Sequence, residues 1–142
     1  MTIAAILGGN DRDVISTTAA VSVRDAVALL AQKRIGAVPV MDGDQVVGVF
    51  SERDVIHALA AQGAAALDAT VGDVMTSPAI TVGPSEAAIG ALSLMTRRRI
   101  RHLPVIDGGR VVGIVSIGDL VKYRIDWIEA DAEAMRAYIQ QA

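Results

Sequence analysis

The chain of 142 residues contains no cysteine. Disulfide bridges, zinc–thiolate sites and catalysis by a thiol are therefore excluded. Aromatic residues make up only 3% of the sequence, and the formal net charge is −3. Proteins that bind nucleic acids usually carry a basic surface and, for single strands, aromatic side chains on which bases stack. We therefore expect no nucleic-acid partner.

The sequence also lacks a long apolar run. No stretch reaches the roughly 18 residues that a membrane-spanning helix requires. The N-terminal segment MTIAAILGGN has no basic region of the kind that begins a secretion signal. We therefore expect a soluble, cytoplasmic protein without a membrane partner. Hydrophobic residues nevertheless make up 52% of the chain, which indicates apolar surface beyond one internal core.

Two segments of the chain repeat each other without a gap. They are RIGAVPVMDGDQVVGVFSERDV at 34–55 and RIRHLPVIDGGRVVGIVSIGDL at 99–120, so that Asp54 corresponds to Asp119 at an offset of 65. A fixed long period is the signature of one supersecondary unit made twice. A unit of about 60 residues holds only a marginal core. We therefore expect the two copies to bury their apolar faces against each other.

The hydrophobic pattern predicts the same order of elements in both copies. In the first copy these are a strand over 14–17, a helix from Ser22 to a stop at Gly36, a hairpin over 37–50 and a helix from Ser51 to about Gly63. In the second copy they are a strand over 79–82, a helix over 85–98, a hairpin over 103–115 and a helix from Ser116. A short lead-in helix precedes each copy, at 2–7 and at 70–75. Each unit is thus β-α-β-β-α, and the predicted fold class is α+β.

The last helix continues beyond the second copy. Its apolar residues follow one another at steps of 4, 3, 4, 3 and 4, namely Val121, Ile125, Ile128, Ala132, Met135 and Ile139. Such a heptad seam lies either on the core of its own chain or against a helix of a second chain. The predicted domains are therefore a first repeat with its lead-in, a linker with the second lead-in, a second repeat and a C-terminal amphipathic helix, at 1–63, 64–78, 79–123 and 124–142.

Several paired motifs resemble those of CBS domains. They are the segments GVFSERDV and GIVSIGDL, the strands IGAVPV and IRHLPV, and the lead-in TVGDVMTSPAITV. The resemblance implies two β-α-β-β-α repeats packed sheet to sheet with pseudo-twofold symmetry, an arrangement called a Bateman module. It further implies a homodimer that binds an adenosine-containing effector, such as AMP, ADP, ATP, NAD or S-adenosylmethionine, in clefts between the repeats. Such modules regulate other proteins and hold no catalytic cofactor.

The Ser-x-x-Asp motif binds ribose in the family, which assigns that role to Asp54 and Asp119. A carboxylate can accept hydrogen bonds from two vicinal hydroxyls, and each charged hydrogen bond contributes roughly 1.5–3 kcal/mol. The same motif is also a helix capping box, so capping alone remains the alternative for both residues. The candidate ligand-binding residues of the two clefts are Ile15, Ile35, Gly36, Ala37, Pro39, Ser51, Arg53, Asp54, Ile80, Thr81, Ile100, Arg101, His102, Pro104, Ser116 and Asp119.

Basic residues predict that the two clefts differ. Arg101 and His102 adjoin the strand that lines a cleft in the family, where they would meet a phosphate, and their counterparts in the first copy are uncharged. In the first copy the candidate anion contact is Arg53, whose counterpart is also uncharged. The basic run at 97–99 is explained by the C-terminus of a helix, where cations are favoured.

The resemblance implies a regulatory sensor rather than an enzyme. The sequence contains no Ser-His-Asp arrangement and no carboxylate–histidine spacing typical of a metal site. With no effector domain in the sequence, we expect the output to go to another protein of unknown identity or to stay within the oligomer. The alternative is a dimeric structural adaptor whose nucleotide sites are vestigial.

Overall fold

The computed structural model describes residues 1–8 and 14–141. The helices are α1 (Ile3–Leu7), α2 (Val23–Lys33), α3 (Glu52–Gln62), α4 (Val71–Val74), α5 (Ala88–Arg98) and α6 (Ile117–Gln141), with a 3₁₀ helix at Gly63–Asp68. The strands are β1 (Thr17–Thr18), β2 (Ala37–Asp42), β3 (Gln45–Ser51), β4 (His102–Asp107) and β5 (Arg110–Ser116). The predicted mixed fold, with two repeats and an extended C-terminal helix, is confirmed.

The repeat in the sequence is also a repeat in backbone pairing. β2 and β3 form an antiparallel hairpin, as do β4 and β5, and each hairpin has a bulge directly after Val40 or its equivalent Val105. A parallel neighbour joins each hairpin, since Thr17 pairs with Val40 and Val82 pairs with Val105. The sheets meet where β3 contacts β4 and β5.

Each repeat has its own buried core. The first core consists of Val23, Ala26, Leu30, Val38, Val40, Phe50 and Val71. The second consists of Ile3, Val82, Ala91, Met95, Leu103, Val105, Val115 and Leu120. Burial of apolar side chains is the main favourable term in folding, so these two clusters hold the sheets against their helices.

The two lead-in helices are exchanged between the repeats. Ile3 of α1 lies in the core of the second repeat, and Val71 of α4 lies in the core of the first. The backbone N–H of Ile3 donates to the carbonyl oxygen of Glu86 at 2.9 Å, and that of Val71 donates to Val21 at 2.8 Å. α1, which precedes the first repeat, therefore completes the core of the second, and α4, which precedes the second repeat, completes the core of the first.

Two glycines make room for this exchange. A Cβ atom on Gly113 of β5 would lie 2.9 Å from Cδ2 of Leu7, and one on Gly48 of β3 would lie 2.8 Å from Sδ of Met75. Real side chains do not approach this closely, because packed atoms prefer separations of about 3.5–4 Å. The absence of a side chain at both positions lets each lead-in lie directly on a strand.

Two helix boundaries differ from the sequence prediction. α2 ends before Gly36, because Arg34 takes the left-handed conformation with φ of 54° and caps the helix. This position is usually filled by glycine. α5 begins at Ala88 rather than at residue 85, because the segment before it bonds to the N-terminus: Ala4 donates to Pro84, and Ala88 donates to the carbonyl of Met1.

The predicted strands at 14–17 and 79–82 are shorter than expected. β1 spans only Thr17–Thr18, and the second strand is reduced to a bridge at Val82. Val82 donates to the carbonyl of Pro104 at 3.1 Å and accepts from Ile106 at 2.9 Å. Only Val82 pairs with the neighbouring strand. Ala79 and Ile80 are apolar as predicted, but they form no backbone pairing with it.

α6 leaves the body of the molecule. Leu120 in its first turn is buried in the second core, but the seam residues Val121, Ile125, Ile128, Met135 and Ile139 are all exposed. The seam therefore does not lie on the core of its own chain. None of the helices in the described part of the chain, α6 included, has the length and apolarity needed to cross a membrane.

Candidate ligand-binding cleft

A cleft of about 560 Å³ opens between the two repeats. This volume falls within the usual range of small-molecule sites. Its walls come from the start of α3, the segment that follows α4 and the turn between α5 and β4. The lining residues are Gly36, Val49, Ser51, Glu52, Arg53, Asp54, Ile56, His57, Thr76, Pro78, Ala79, Ile80, Arg99, Ile100, Arg101 and His102.

The carboxylate of Asp54 is fixed at one side of this cleft. Its Oδ2 accepts hydrogen bonds from the backbone N–H of Ser51 at 2.9 Å and from the Ser51 hydroxyl at 3.1 Å. Its Oδ1 accepts from the hydroxyl of Thr76 at 2.9 Å. Ser51 and Asp54 thus form the capping box of α3. Capping is present at Asp54, and contact with a ligand stays a prediction.

The equivalent motif lies at the start of α6. The backbone N–H of Ser116 donates to Oδ2 of Asp119 at 3.0 Å, and the N–H of Asp119 donates to the Ser116 hydroxyl at 3.1 Å. Neither residue lines the cleft beside Asp54. Contact of Ser116 and Asp119 with a ligand therefore stays a prediction.

The predicted site residues divide into two groups. The cleft brings together eight of them: Gly36, Ser51, Arg53, Asp54, Ile80, Ile100, Arg101 and His102. The other eight lie outside it: Ile15, Ile35, Ala37, Pro39, Thr81, Pro104, Ser116 and Asp119. Ala37, Pro39 and Pro104 are buried in their strands, because both faces of the first residues of β2 and β4 are covered.

Arginines from both repeats converge on the cleft. Arg53 of α3 lines it together with Arg99 and Arg101, and Nη1 of Arg53 donates to the carbonyl oxygen of Arg99 at 2.9 Å. From the sequence, Arg53 and Arg101 are predicted anion contacts of two different clefts. The structure places them in one cleft, because the start of α3 faces the turn before β4.

His102 lies at the junction of the two repeats. A Cβ atom on Gly36 would lie 3.4 Å from Nε2 of His102 and 3.6 Å from Oε2 of Glu52, so the ring rests against this glycine. Burial lowers the pKa of His102 below its usual value, and Arg101 acts in the same direction. The carboxylates of Glu52 and Asp119 oppose this shift. The imidazole is therefore mostly neutral at pH 7.

Several lining residues were not among the predicted site residues. Thr76 and Pro78 belong to the lead-in TVGDVMTSPAITV. The resemblance of this segment to the family could have indicated that they line the cleft. Arg99 was explained by the helix terminus alone, although it ends α5 in the left-handed conformation with φ of 54°. His57 also lines the cleft, and it was not among the candidate residues. Among the described residues, no cluster of His, Cys, Asp and Glu could hold a metal ion.

Comparison with known proteins identifies the repeated unit. The family model for the CBS domain matches residues 7–61 and again residues 71–126. The CBS domain-containing protein CBSX3, mitochondrial, of Arabidopsis thaliana is 39% identical over 124 residues. The match covers 84% of this chain and 60% of that protein, so the chain spans less than two thirds of this relative's length.

Solved structures share the fold. The CBS-domain containing protein ATU1752 from Agrobacterium tumefaciens superposes with a TM-score of 0.82 at 38% identity, over 87% of this chain and 99% of that one. CBS domain protein PAE2072 from Pyrobaculum aerophilum, complexed with AMP, gives 0.73 at 28% identity, over 84% and 89%. The CBS domain pair of protein MJ0100, in complex with 5′-methylthioadenosine and S-adenosyl-L-methionine, gives 0.76 at 26%, over 87% and 94%. With two matched repeats, a shared fold and a cleft between the repeats, the chain belongs to the CBS-domain family as a tandem pair.

Proposed function

We propose that this chain is a regulatory sensor that binds a phosphorylated adenosine ligand, of which AMP is the simplest, in the cleft between its repeats. Binding would change the relative position of the repeats, and a partner protein would respond to that change. The proposal includes no catalytic step. The observation that carries it is the placement of Asp54 and three arginines in one cleft, since these groups complement the two polar ends of a nucleotide.

Asp54 is suited to the ribose end. Its Oδ2 is held by the capping box, and its Oδ1 meets only the hydroxyl of Thr76 in the described structure. A ribose hydroxyl has the same donor chemistry as that threonine and can take its place. The carboxylate is already oriented before the ligand arrives, and such preorganisation reduces the entropy lost on binding.

The arginines are suited to the phosphate end. Arg53, Arg99 and Arg101 line the same cleft as Asp54, and the guanidinium group matches the geometry of phosphate oxygens. His102 has a lowered pKa, so at pH 7 it contributes mainly a hydrogen-bond donor or acceptor rather than a charge. Ile56, Ile80 and Ile100 supply apolar wall, against which a purine ring can pack.

Charge favours a nucleotide over S-adenosylmethionine. Relatives of this chain bind AMP in one case and S-adenosyl-L-methionine in another, so the fold alone does not select between these ligands. The cleft holds three arginines and two carboxylates, Glu52 and Asp54. With Asp54 assigned to the ribose, a sulfonium cation would lie among guanidinium groups and be repelled, whereas a phosphate would be attracted.

The bond between Arg53 and Arg99 suggests how binding is transmitted. It joins α3 of the first repeat to the end of α5 in the second at 2.9 Å. A phosphate that draws Arg53 away from the carbonyl of Arg99 would exchange a contact between repeats for contacts to the ligand. A ligand shifts such an equilibrium only by its differential affinity for the two states, typically about 1–3 kcal/mol.

A thermal-shift panel tests the proposal. The purified chain is melted with AMP, ADP, ATP, NAD, S-adenosylmethionine and GTP, each in large excess. A ligand at 100 times its Kd adds about 2.7 kcal/mol to the free energy of unfolding, which raises the Tm by several degrees for a chain of this size. We expect the adenine nucleotides to raise the Tm more than S-adenosylmethionine. A panel without any shift would contradict the proposal.

The exposed seam of α6 favours a second candidate function, a dimeric adaptor with vestigial nucleotide sites. Its aliphatic side chains, among them Ile125 and Ile128, are available to another helix. The two functions differ in the same panel, since an adaptor would dimerise without any response to nucleotides. The arginines that converge beside Asp54 are unnecessary for an adaptor, and for this reason the sensor is our first proposal.

A further inference from the structure

The heptad seam of α6 faces away from the body of its own chain. Leu120 is buried and Tyr123 half-buried, and with Trp127 they border a small cavity beside α5. The large seam side chains lie on a different side of the helix and are between 41% and 65% exposed: Val121, Ile125, Ile128, Met135 and Ile139. A continuous apolar stripe of this kind on a formed helix needs a partner to leave water.

We propose that this seam binds the same seam of a second copy of the chain, with the two α6 helices parallel and in register as a two-stranded coiled coil. The proposal does not depend on the nature of the ligand in the cleft. The pattern places Ile125, Ala132 and Ile139 at the a positions, and Val121, Ile128 and Met135 at the d positions.

The charges that flank the seam are complementary in the parallel arrangement. In a parallel coiled coil, a g residue of one helix meets the e residue of the next heptad in the other helix. Arg124 at g therefore meets Glu129 of the second copy, and Asp131 at g meets Arg136 of the second copy. Both contacts join opposite charges, and twofold symmetry makes each of them twice.

The antiparallel arrangement that pairs the whole seam brings like charges together. It places Val121 opposite Ile139, and in this geometry e residues meet e residues while g residues meet g residues. Glu129 would then face Glu129, and Asp131 would face Asp131. Lys122 would face Arg136. An antiparallel register shifted by one heptad avoids these contacts, but it leaves either Met135 and Ile139 or Val121 and Ile125 unpaired.

The second repeat anchors the start of α6, so the helix is folded before it meets a second copy. A seam of between two and three heptads is short for an isolated coiled coil, because nucleation of a helix is unfavourable. α6 is anchored by Leu120 in the second core and is continuous from Ile117 to Gln141. The helix is therefore already formed when it meets its partner, and association does not have to order it.

Single cysteines test the orientation directly, because the natural chain contains none. In the parallel coil, residue 135 of one copy meets residue 135 of the other at a d position. We expect the full chain with Met135→Cys to form a disulfide-linked dimer under mild oxidation. The matched control is Ala137→Cys, which is exposed on the outer face only two residues away and should remain mostly monomeric on a non-reducing gel. Absence of the Met135→Cys cross-link would overturn the proposal.

A charge exchange tests the flanking contacts and the number of chains. Light scattering should give twice the 14.8 kDa of one chain at micromolar concentration. Asp131→Lys should raise the dimer dissociation constant by about tenfold through repulsion of Arg136, and the double variant Asp131→Lys/Arg136→Asp should restore it. A double variant no tighter than the single variant, or a mass of three chains, would contradict the two-stranded parallel coil.

Discussion

The two oxygens of the Asp54 carboxylate have different partners. One closes the capping box of α3 with Ser51, and the other accepts from Thr76 in the cleft. Capping and ligand binding are therefore compatible at this residue. The cap fixes the direction in which the second oxygen points, and that oxygen borders the space in which we place the ribose.

Asp54→Ala is expected to reduce the affinity for AMP by about tenfold to a hundredfold, because it removes a charged hydrogen bond to the ribose. Isothermal titration calorimetry measures this change. The matched control is Asp73→Ala, which removes the corresponding carboxylate from the capping box of α4 and lies outside the cleft. The control should bind AMP as the wild type does. Equal AMP affinity for Asp54→Ala and the wild type would remove this residue from the site.

The proposed phosphate contact makes a distinct prediction at Arg101. Arg101→Gln should weaken AMP binding by about tenfold and leave the binding of adenosine unchanged, because only AMP carries the group that the guanidinium recognises. Arg98→Gln is the control, since Arg98 is exposed on α5 and does not line the cleft. If Arg101→Gln weakened AMP and adenosine equally, its role would be structural rather than specific to phosphate.

Burial of His102 predicts a pH dependence of stability. Its pKa is lowered in the folded chain, so the unfolded chain binds the proton more readily. The resulting contribution to stability is complete above the ordinary pKa of about 6.5 and is lost as the pH falls below that value. Between about pH 7.5 and about pH 5.5, the Tm of the wild type should fall further than that of His102→Gln. Parallel pH profiles of the two proteins would contradict this assignment.

At the scale of elements, the exchange of lead-in helices links the repeats. A Cβ atom on Gly48 would lie 2.8 Å from the carbonyl oxygen of Thr76. The side-chain hydroxyl of the same threonine donates to Asp54. Thr76 and Val49 donate to each other's carbonyl oxygens, both at 2.9 Å. Packing at β3 therefore positions one wall of the cleft.

Gly48→Ala is expected to destabilise the chain by about 1–3 kcal/mol, because backbone must move to admit the methyl group. Gly90→Ala is the matched control, since nothing lies within 4 Å of its added Cβ and alanine favours a helix by up to about 1 kcal/mol. Urea unfolding measures both changes. A Gly48→Ala variant as stable as the wild type would refute the tight contact between β3 and the segment that follows α4.

The sequence predicted the local elements better than the contacts between them. Both hairpins and the caps at Ser22 and Ser51 follow from nearby residues, and they were predicted. The exchange of α1 and α4 depends on bonds such as that from Ile3 to Glu86, which no local pattern records. The predicted end of α2 at Gly36 was also wrong. The helix ends earlier, because Arg34, a non-glycine residue, takes the left-handed conformation.

The sequence also could not predict which residues of the two repeats meet in the cleft. Arg53 and Arg101 were both chosen from the sequence, but they were assigned to separate clefts. An internal offset relates equivalent positions in two copies, and it does not say which faces of the copies meet. The bond from Arg53 to Arg99 depends on that packing, so it became visible only in the folded chain.

At the scale of the whole molecule, both repeats line the cleft beside Asp54, and α6 projects from the second repeat. α3 and the turn before β4 both contribute to the wall of the cleft. The affinity of a ligand that touches both therefore depends on the distance between the two repeats. α6 begins with the Ser-x-x-Asp motif of the second repeat and ends in the exposed seam. A change at the repeats is thus connected to the proposed dimer contact through one continuous helix.

The structure of the chain crystallised with AMP would test the central claim most directly. We expect AMP in the cleft between the repeats, with its ribose hydroxyls on the Asp54 carboxylate and its phosphate on Arg53 or Arg101. AMP bound away from these residues, for example only beside Asp119, would contradict the assignment of this cleft. An empty cleft at saturating AMP would contradict the sensor itself.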